Sequence, residues 1–243
     1  MNPDYKTSVD YLKKIQPAGP WNVIAIEPDG PGITGKSFVP GEEDDMAKWL
    51  EAQGHTRNIY YTLNTVMRPI DKKPSRKDIK EMAYLHVDLD PRAREDVDEE
   101  QKRIIAQCEA MQPKPTIVVF SGGGYQAIWR LAEPVPINGK EEAYDQAKLY
   151  NLQLEQLYDA DHCHNVDRIM RLPGTINRPD KRKREKGRTE QLAKVVWFND
   201  AVYDIGQFTQ CQMVQSADQG LTKNSVKISG NVKRLPDLKP LED

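Results

Sequence analysis

The sequence predicts an α+β fold in which an N-terminal α-β-α-β unit packs with a ferredoxin-like, or RRM-like, split βαβ unit. Apolar residues recur at helical spacing in several segments. Short β-branched and aromatic runs lie between them, and from about residue 81 the order becomes β-α-β-β-α-β.

Residues 5–15 (YKTSVDYLKKI) place Val9, Leu12 and Ile15 on one helical face. WNVIAIE at 21–27 is a strand bounded by Pro20 and Pro28. Residues 43–53 (EDDMAKWLEAQ) form a helix with acids at its positive end, and NIYYTLN at 58–64 is a second strand. Ser75 followed by Asp78 is a helix-capping pair. YLHVDLD at 84–90 opens the second unit as a strand, and Val97, Ile104, Ile105, Cys108 and Met111 mark a helix. TIVVF (116–120) and YQAIWRL (125–131) form a hairpin joined by SGGG. Ala143, Ala147, Tyr150, Leu154 and Leu157 mark another helix, and NVDRIMRL (165–172) returns as a strand before Pro173-Gly174. A split βαβ unit puts the first and third strands at the centre and the fourth beside the first. One more strand is expected at QLAKVVWF, 191–198. Residues 1–215 should form the core, divided into 1–80 and 81–199, and 216–243 is a polar linker or tail.

The 243 residues carry 35 Lys and Arg against 37 Asp and Glu, a net charge of −2. That excludes a uniformly basic coat, so any nucleic-acid contact must use a local patch. No run approaches the roughly 18 apolar residues of a membrane helix, and MNPDYKTSVDYLKK lacks the plan of a signal peptide. A cytoplasmic protein without a membrane partner is expected. Cys108, Cys163 and Cys211 form no CxxC pair, and His162, Cys163 and His164 lack a partner pair at zinc spacing. Neither disulfides nor structural zinc is expected. Trp21, Trp49, Trp129 and Trp197 fall in elements and read as core; Tyr125 is the better base-stacking candidate.

Asp88 and Asp90 alternate on a strand, so both carboxylates share one face. Side by side they repel unless a cation lies between them, and oxygen ligands suit Mg²⁺ or Mn²⁺. The same pattern also suits a solvated strand end. Asp167 is a third acid that the expected strand order places next to them. Three acids could hold two metals, although Asp167 could equally pair with Arg168 or Arg171. Ser121, Gly122, Gly123 and Gly124 would let backbone N–H groups approach phosphates, or simply make a turn. RLPGTINRP supplies Arg171, Asn177 and Arg178 as phosphate or template partners. KRKREKGR at 181–188, with Lys181, Arg182, Lys183 and Arg184, could grip a nucleic-acid backbone or be a solvated loop.

Taken together, LHVDLD, SGGGYQAIW and HNVDRIMRLPGTINRP resemble the three motifs of the archaeo-eukaryotic primase superfamily, in particular primase-polymerases of phages, plasmids and other mobile elements, over residues 58–199. The resemblance implies a two-module primase-polymerase core that polymerises nucleotides on a single-stranded DNA template, from dNTP or NTP substrates, with two Mg²⁺ or Mn²⁺ ions. Asp88 and Asp90 match its first metal-binding motif and Asp167 its third, all three catalytic. Ser121, Gly122, Gly123, Gly124, Tyr125 and Gln126 would meet the nucleotide, with Arg171 and Asn177 lining its site. One departure is Gln126, where the family commonly has His, because a neutral amide cannot protonate pyrophosphate. A primase-like module that binds DNA or nucleotide without polymerising is the alternative, and a nuclease or nucleotidyl cyclase on a similar palm is a third. The resemblance further leads us to expect a fragment of a longer replication protein, with a helicase domain in the same polypeptide or in trans.

Overall fold

The computed structural model describes residues 2–212. Helix α1 (Tyr5–Ile15) starts where the Asp4 carboxylate accepts the Thr7 backbone N–H, and it buries Val9, Leu12 and Ile15. Strands β1 (Trp21–Ile26) and β2 (Ile33–Phe38) form an antiparallel hairpin, followed by α2 (Glu43–Gly54) and β3 (Asn58–Thr62). Ser75 and Asp78 cap a single turn at Arg76–Asp78. The second unit holds β4 (Glu81–Leu89), α3 (Val97–Ala110), β5 (Ile117–Phe120), β6 (Tyr125–Pro136) and α4 (Glu141–Leu157). After it come β7 (Ile169–Arg171), β8 (Ile176–Asn177), α5 (Lys181–Glu185), β9 (Gln191–Leu192) and β10 (Lys194–Phe198). The expected tail at 216–243 lies outside the described residues.

These strands form two antiparallel four-stranded sheets, ordered β2-β1-β3-β7 and β10-β5-β6-β4, with β8-β9 as a separate pair. One face of the second sheet carries Leu85, Val87, Val118, Ala127 and Trp129 into a core with Ile104 and Cys108 of α3 and Ala147 and Leu154 of α4. Its other face carries Tyr84, Ile117, Val119 and Ile128 into a core shared with α1, α2 and the first sheet through Leu12, Met46, Trp21 and Tyr61. The α+β class follows from these two cores. Side-chain alternation on β4 decides that Val87 and Leu89 face the helices while Asp88 faces the first sheet.

The strand order of the second unit differs from a ferredoxin-like one in its fourth strand. The residues at 169–171 pair with Thr62, Tyr61 and Tyr60 of β3, so β7 joins the first sheet and β4 is left at an edge. Met170 and Leu172 supply the reason, since both are buried in the core between the sheets. Residues 165–168 form a turn rather than a strand. The 191–198 run splits into β9 and β10, and β2 was not foreseen.

In place of a fourth strand, side chains and a loop satisfy the open edge of β4. The Asn64 amide oxygen accepts Ala83 N–H at 2.9 Å and Tyr84 N–H at 3.0 Å, and its nitrogen donates to Tyr84 O and Val166 O. Asn151 of α4 accepts His86 N–H at 3.1 Å, and Asp161 N–H donates to Asp88 O at 2.9 Å. A buried strand edge without partners would cost about 1–3 kcal/mol per lost group. Asn64→Leu is therefore expected to destabilise the fold by about 3 kcal/mol, read as a lower urea midpoint. An unchanged midpoint would remove this account of the edge.

Candidate functional site

Asp88 lies opposite Gln126 in the β4–β6 register, and Asp90 follows two residues on, just past the strand. The Asp88 side chain is 19% exposed. Burial first, and the Asp90 charge second, push its carboxyl up to about 7, against the pull of Arg168, whose Nη2 stands 3.5 Å from Asp88 Oδ2. Asp161 is the acid that completes this neighbourhood. Its carboxyl is also raised, by burial and then by Asp90, and its charge acts in turn on Asp88.

Asp167 is engaged with another group: its carboxylate accepts from Tyr144 of α4. The expected position depended on a fourth strand beside β4, which the pairing of β7 with β3 removes. Asp161 gave no periodic signal in the polar stretch YDADHCHN, so sequence reasoning passed over it.

The loop that carries Asp161 is pinned by Glu155 of α4, which is buried. Glu155 accepts His162 Nδ1–H at 2.6 Å, His164 Nδ1–H at 2.9 Å and Cys163 N–H at 2.9 Å. On the other side His86 Nε2–H donates to Cys163 O at 2.8 Å, and burial pulls the His86 imidazole down to about 4, so it is neutral. The His-Cys-His run thus serves a carboxylate within the fold.

The glycine hairpin between β5 and β6 comes as close to the acids as backbone can. A Cβ on Gly124 would lie 2.3 Å from Asp90 Oδ1 and 2.3 Å from Leu89 O. Gly122 has φ +92°, and a Cβ there would lie 2.4 Å from the Asn177 Cβ. Gly124→Ala is expected to displace Asp90 and to lower any activity that depends on that carboxylate at least about 100-fold. Activity equal to the parent's would show that the close approach has no function.

Two residues of the hairpin are placed differently from expectation. The Ser121 hydroxyl is spent on the turn itself, bonding Gly124 O at 3.1 Å and Gly124 N–H at 3.3 Å. Tyr125 pairs with Leu89, so alternation turns it into the helix-side core against Phe120, with ring centroids 5.3 Å apart. It offers no exposed face for a base.

Opposite the acids stand arginines from the segment around β7 and β8. Arg171 is buried; its backbone N–H donates to Gln126 Oε1 at 3.1 Å, and Nη2 donates to Asn177 Oδ1 at 2.7 Å and Tyr60 Oη at 2.9 Å. Its guanidinium lies 4.2 Å from the Tyr60 ring centroid. Three buried guanidinium nitrogens have no partner among the described residues: Arg168 Nε, Arg171 Nη1 and Arg178 Nη1. Arg178 otherwise stands 3.5 Å from Glu190.

A cleft of about 850 Å³ opens beside Asp90, between Gly122–Gly123, Asn177 and the basic segment. Arg92, Arg94, Arg182, Lys183, Lys186 and Arg188 line it. The 181–188 run is partly helical, started by Asp180, rather than a plain loop. Arg184 turns away from the cleft to Asp29 at 2.8 Å, and the Lys181 backbone N–H also bonds Asp29. Lys186 and Arg188 take their place.

Residues 49–216 match the family model of the RepB DNA-primase N-terminal domain. The chain belongs to that family. Among solved structures, the RepB-family domain is similar to the AEP domain of the cyanophage S-2L primase-polymerase, with a TM-score of 0.58 and 17% identity over 85% of this chain and 97% of that one. It is also similar to primase RepB′, at TM-score 0.54 and 13% identity over 84% of this chain and 59% of that one. The catalytic domain of RepB′ in complex with initiator DNA gives TM-score 0.53 and 15% identity over 84% and 90%. No curated protein matches. The fold is thus similar to that of the primase-polymerase AEP domain, and the chain carries a RepB-type primase N-terminal domain.

The acids of the RepB-family domain suit a divalent cation. Burial and then the Asp90 charge raise the carboxyls of both Asp88 and Asp161, so a cation would relieve a repulsion already present. Among the described residues no three His, Cys, Asp or Glu side chains converge tightly enough to hold an ion by themselves. No helix among the described residues is long and apolar enough to cross a membrane.

Proposed function

We propose that this domain is a metal-dependent nucleotidyltransferase, a DNA primase-polymerase that joins nucleotides on a single-stranded DNA template. The observation that carries the reading is the close meeting of carboxylates with buried arginines. Asp88 in β4 of the second sheet meets Arg168, 3.5 Å away, and the charge of Arg171 in β7 of the first, and Arg168, Arg171 and Arg178 each keep a buried nitrogen without a partner among the described residues. Buried guanidinium nitrogens without acceptors suit a multiply charged oxyanion such as a triphosphate.

Asp88 and Asp90 would hold the ion or ions, Mg²⁺ or Mn²⁺, with Asp161 rather than Asp167 as the third acid. Held by these carboxylates, such ions would supply positive charge to offset that of the triphosphate and departing pyrophosphate and would make the attacking 3′ hydroxyl more acidic. Arg171 is oriented by Tyr60 and Asn177 so that Nη1 is left for a phosphate oxygen. Gln126 gives its oxygen to Arg171 N–H, which leaves its NH₂ group as the donor toward phosphate. Backbone at Gly122 and Gly123 lines the cleft where the nucleotide would pass. Arg182, Lys183, Lys186 and Arg188 supply the local basic patch for a template backbone. The RepB′ catalytic domain solved with initiator DNA supports DNA as the partner.

Gln126 favours a second reading, a module that binds DNA or nucleotide without polymerising. The two separate when the chain is given primed and unprimed single-stranded templates, all eight nucleotides and Mg²⁺ or Mn²⁺. Metal-dependent chain growth, absent from Asp88→Ala/Asp90→Ala, supports the polymerase, and growth on the unprimed template makes it a primase. Template binding without growth supports the second reading. In the same assay Asp161→Ala is expected to lose at least about 100-fold and Asp167→Ala less than about tenfold. The reverse ranking would restore Asp167 as the third acid.

A further inference from the structure

Arg168 is the one guanidinium in the site whose partner is an acid assigned to metal binding. Its Nη2 lies 3.5 Å from Asp88 Oδ2, while its Nε is buried without an acceptor. The backbone beneath it is fixed: Arg168 N–H donates to Asn165 O, and Arg168 O accepts Leu63 N–H just before β7 pairs with β3. Only the side chain is free to change partner.

An arginine cannot release its charge by losing a proton. A divalent cation entering beside Asp88 must therefore either face the guanidinium as a like charge or displace it from its carboxylate. Displaced alone, Arg168 would leave a second buried nitrogen without an acceptor. A polyphosphate removes both difficulties, because its oxygens can accept from Arg168 Nε and from the neighbouring Arg171 Nη1.

We propose that Arg168 is a built-in counter-cation which occupies Asp88 until polyphosphate arrives, so that it opposes binding of the metal alone and couples metal entry to nucleotide entry. It is a positioning residue acting through Asp88. The inference rests on the metal-binding reading of Asp88 and Asp90. It also assigns Arg168 a direction opposite to that of a structural support: removing it tightens metal binding.

The test is Mn²⁺ titration of the whole chain by electron paramagnetic resonance, without nucleotide. Arg168→Gln is expected to bind Mn²⁺ about tenfold more tightly than the parent, and Arg168→Lys, which keeps the point charge, close to the parent. Circular dichroism establishes that both variants are folded. The proposal is overturned if folded Arg168→Gln binds Mn²⁺ as weakly as the parent or more weakly. If neither chain binds Mn²⁺ saturably, or if binding persists in Asp88→Asn/Asp90→Asn, the metal reading itself fails, and the proposal falls with it.

Discussion

Asp88→Asn is expected to leave the chain folded, without measurable incorporation, and more stable than the parent above pH 7. The folded carboxyl titrates at about 7 against an ordinary 3.8, chiefly because burial opposes its charge. Below about pH 4 the group is protonated in both the folded and unfolded chain and contributes nothing. Between about pH 4 and pH 7 the unfolded chain ionises it freely while the folded one resists ionisation, so stability is lost across that window and the loss is complete above 7. A difference of about three pKa units corresponds to a cost on the order of 3–4 kcal/mol. Asparagine removes that cost and keeps the shape. Thermal unfolding in EDTA should therefore separate variant and parent increasingly from pH 5 to pH 8. Parallel curves across that range would mean that Asp88 is not held in a charge-averse place. Loss of incorporation by at least about 10³-fold is expected at the same time. Stability gained and function lost in one substitution is the signature of a carboxylate kept for a ligand.

Glu100→Gln is expected to act in the opposite sense, lowering stability by about 3 kcal/mol. Glu100 is 4% exposed and accepts from Arg92 N–H, Nε and Nη2 and from Arg103 Nε and Nη2, at 2.7–3.1 Å. Hydrogen bonds from Arg103 and Arg92 hold its carboxyl well below the usual range. A depressed carboxyl stabilises the fold above its ordinary 4.5 and loses that contribution as pH falls, so the difference between variant and parent should shrink in acid. At neutral pH the thermal midpoint should drop by roughly 6–12 °C. Arg92 also lines the cleft, at the start of the segment between β4 and α3. Releasing it should raise the KM for nucleotide more than it lowers kcat. A midpoint within a degree of the parent's would show that the five-bond cluster contributes little.

Much of the site could be read from local pattern. Alternation alone put Asp88 and Asp90 on one face, and the glycines marked the one turn where backbone approaches them. What alternation cannot report is which sheet a strand joins, because pairing is a contact between distant segments. Residues 169–171 are only three long, and the burial of Met170 and Leu172 between the sheets decided their partner. The strand expected to carry Asp167 beside β4 was misassigned by that one step, and Asp161, in a polar loop, carried no period to notice. Strand β2 was missed because GITGKSF holds two glycines. Gly35 is there because a Cβ would lie 2.6 Å from the Lys72 carbonyl carbon, a crossing made by a segment far along the chain. Tyr125 was read as a platform from its neighbours, although its register with Leu89 already turned it inward.

The return of β7 to the first sheet, followed by β10 on the second, laces the chain through both layers. Asp88 in β4 and Arg171 in β7 are therefore held by different sheets that share one core. Segments far apart in the chain must meet for them to come together, so the site exists only when folding has brought the last strands home. Such lacing couples competence to completion: a nascent or partly melted chain has no half-built centre.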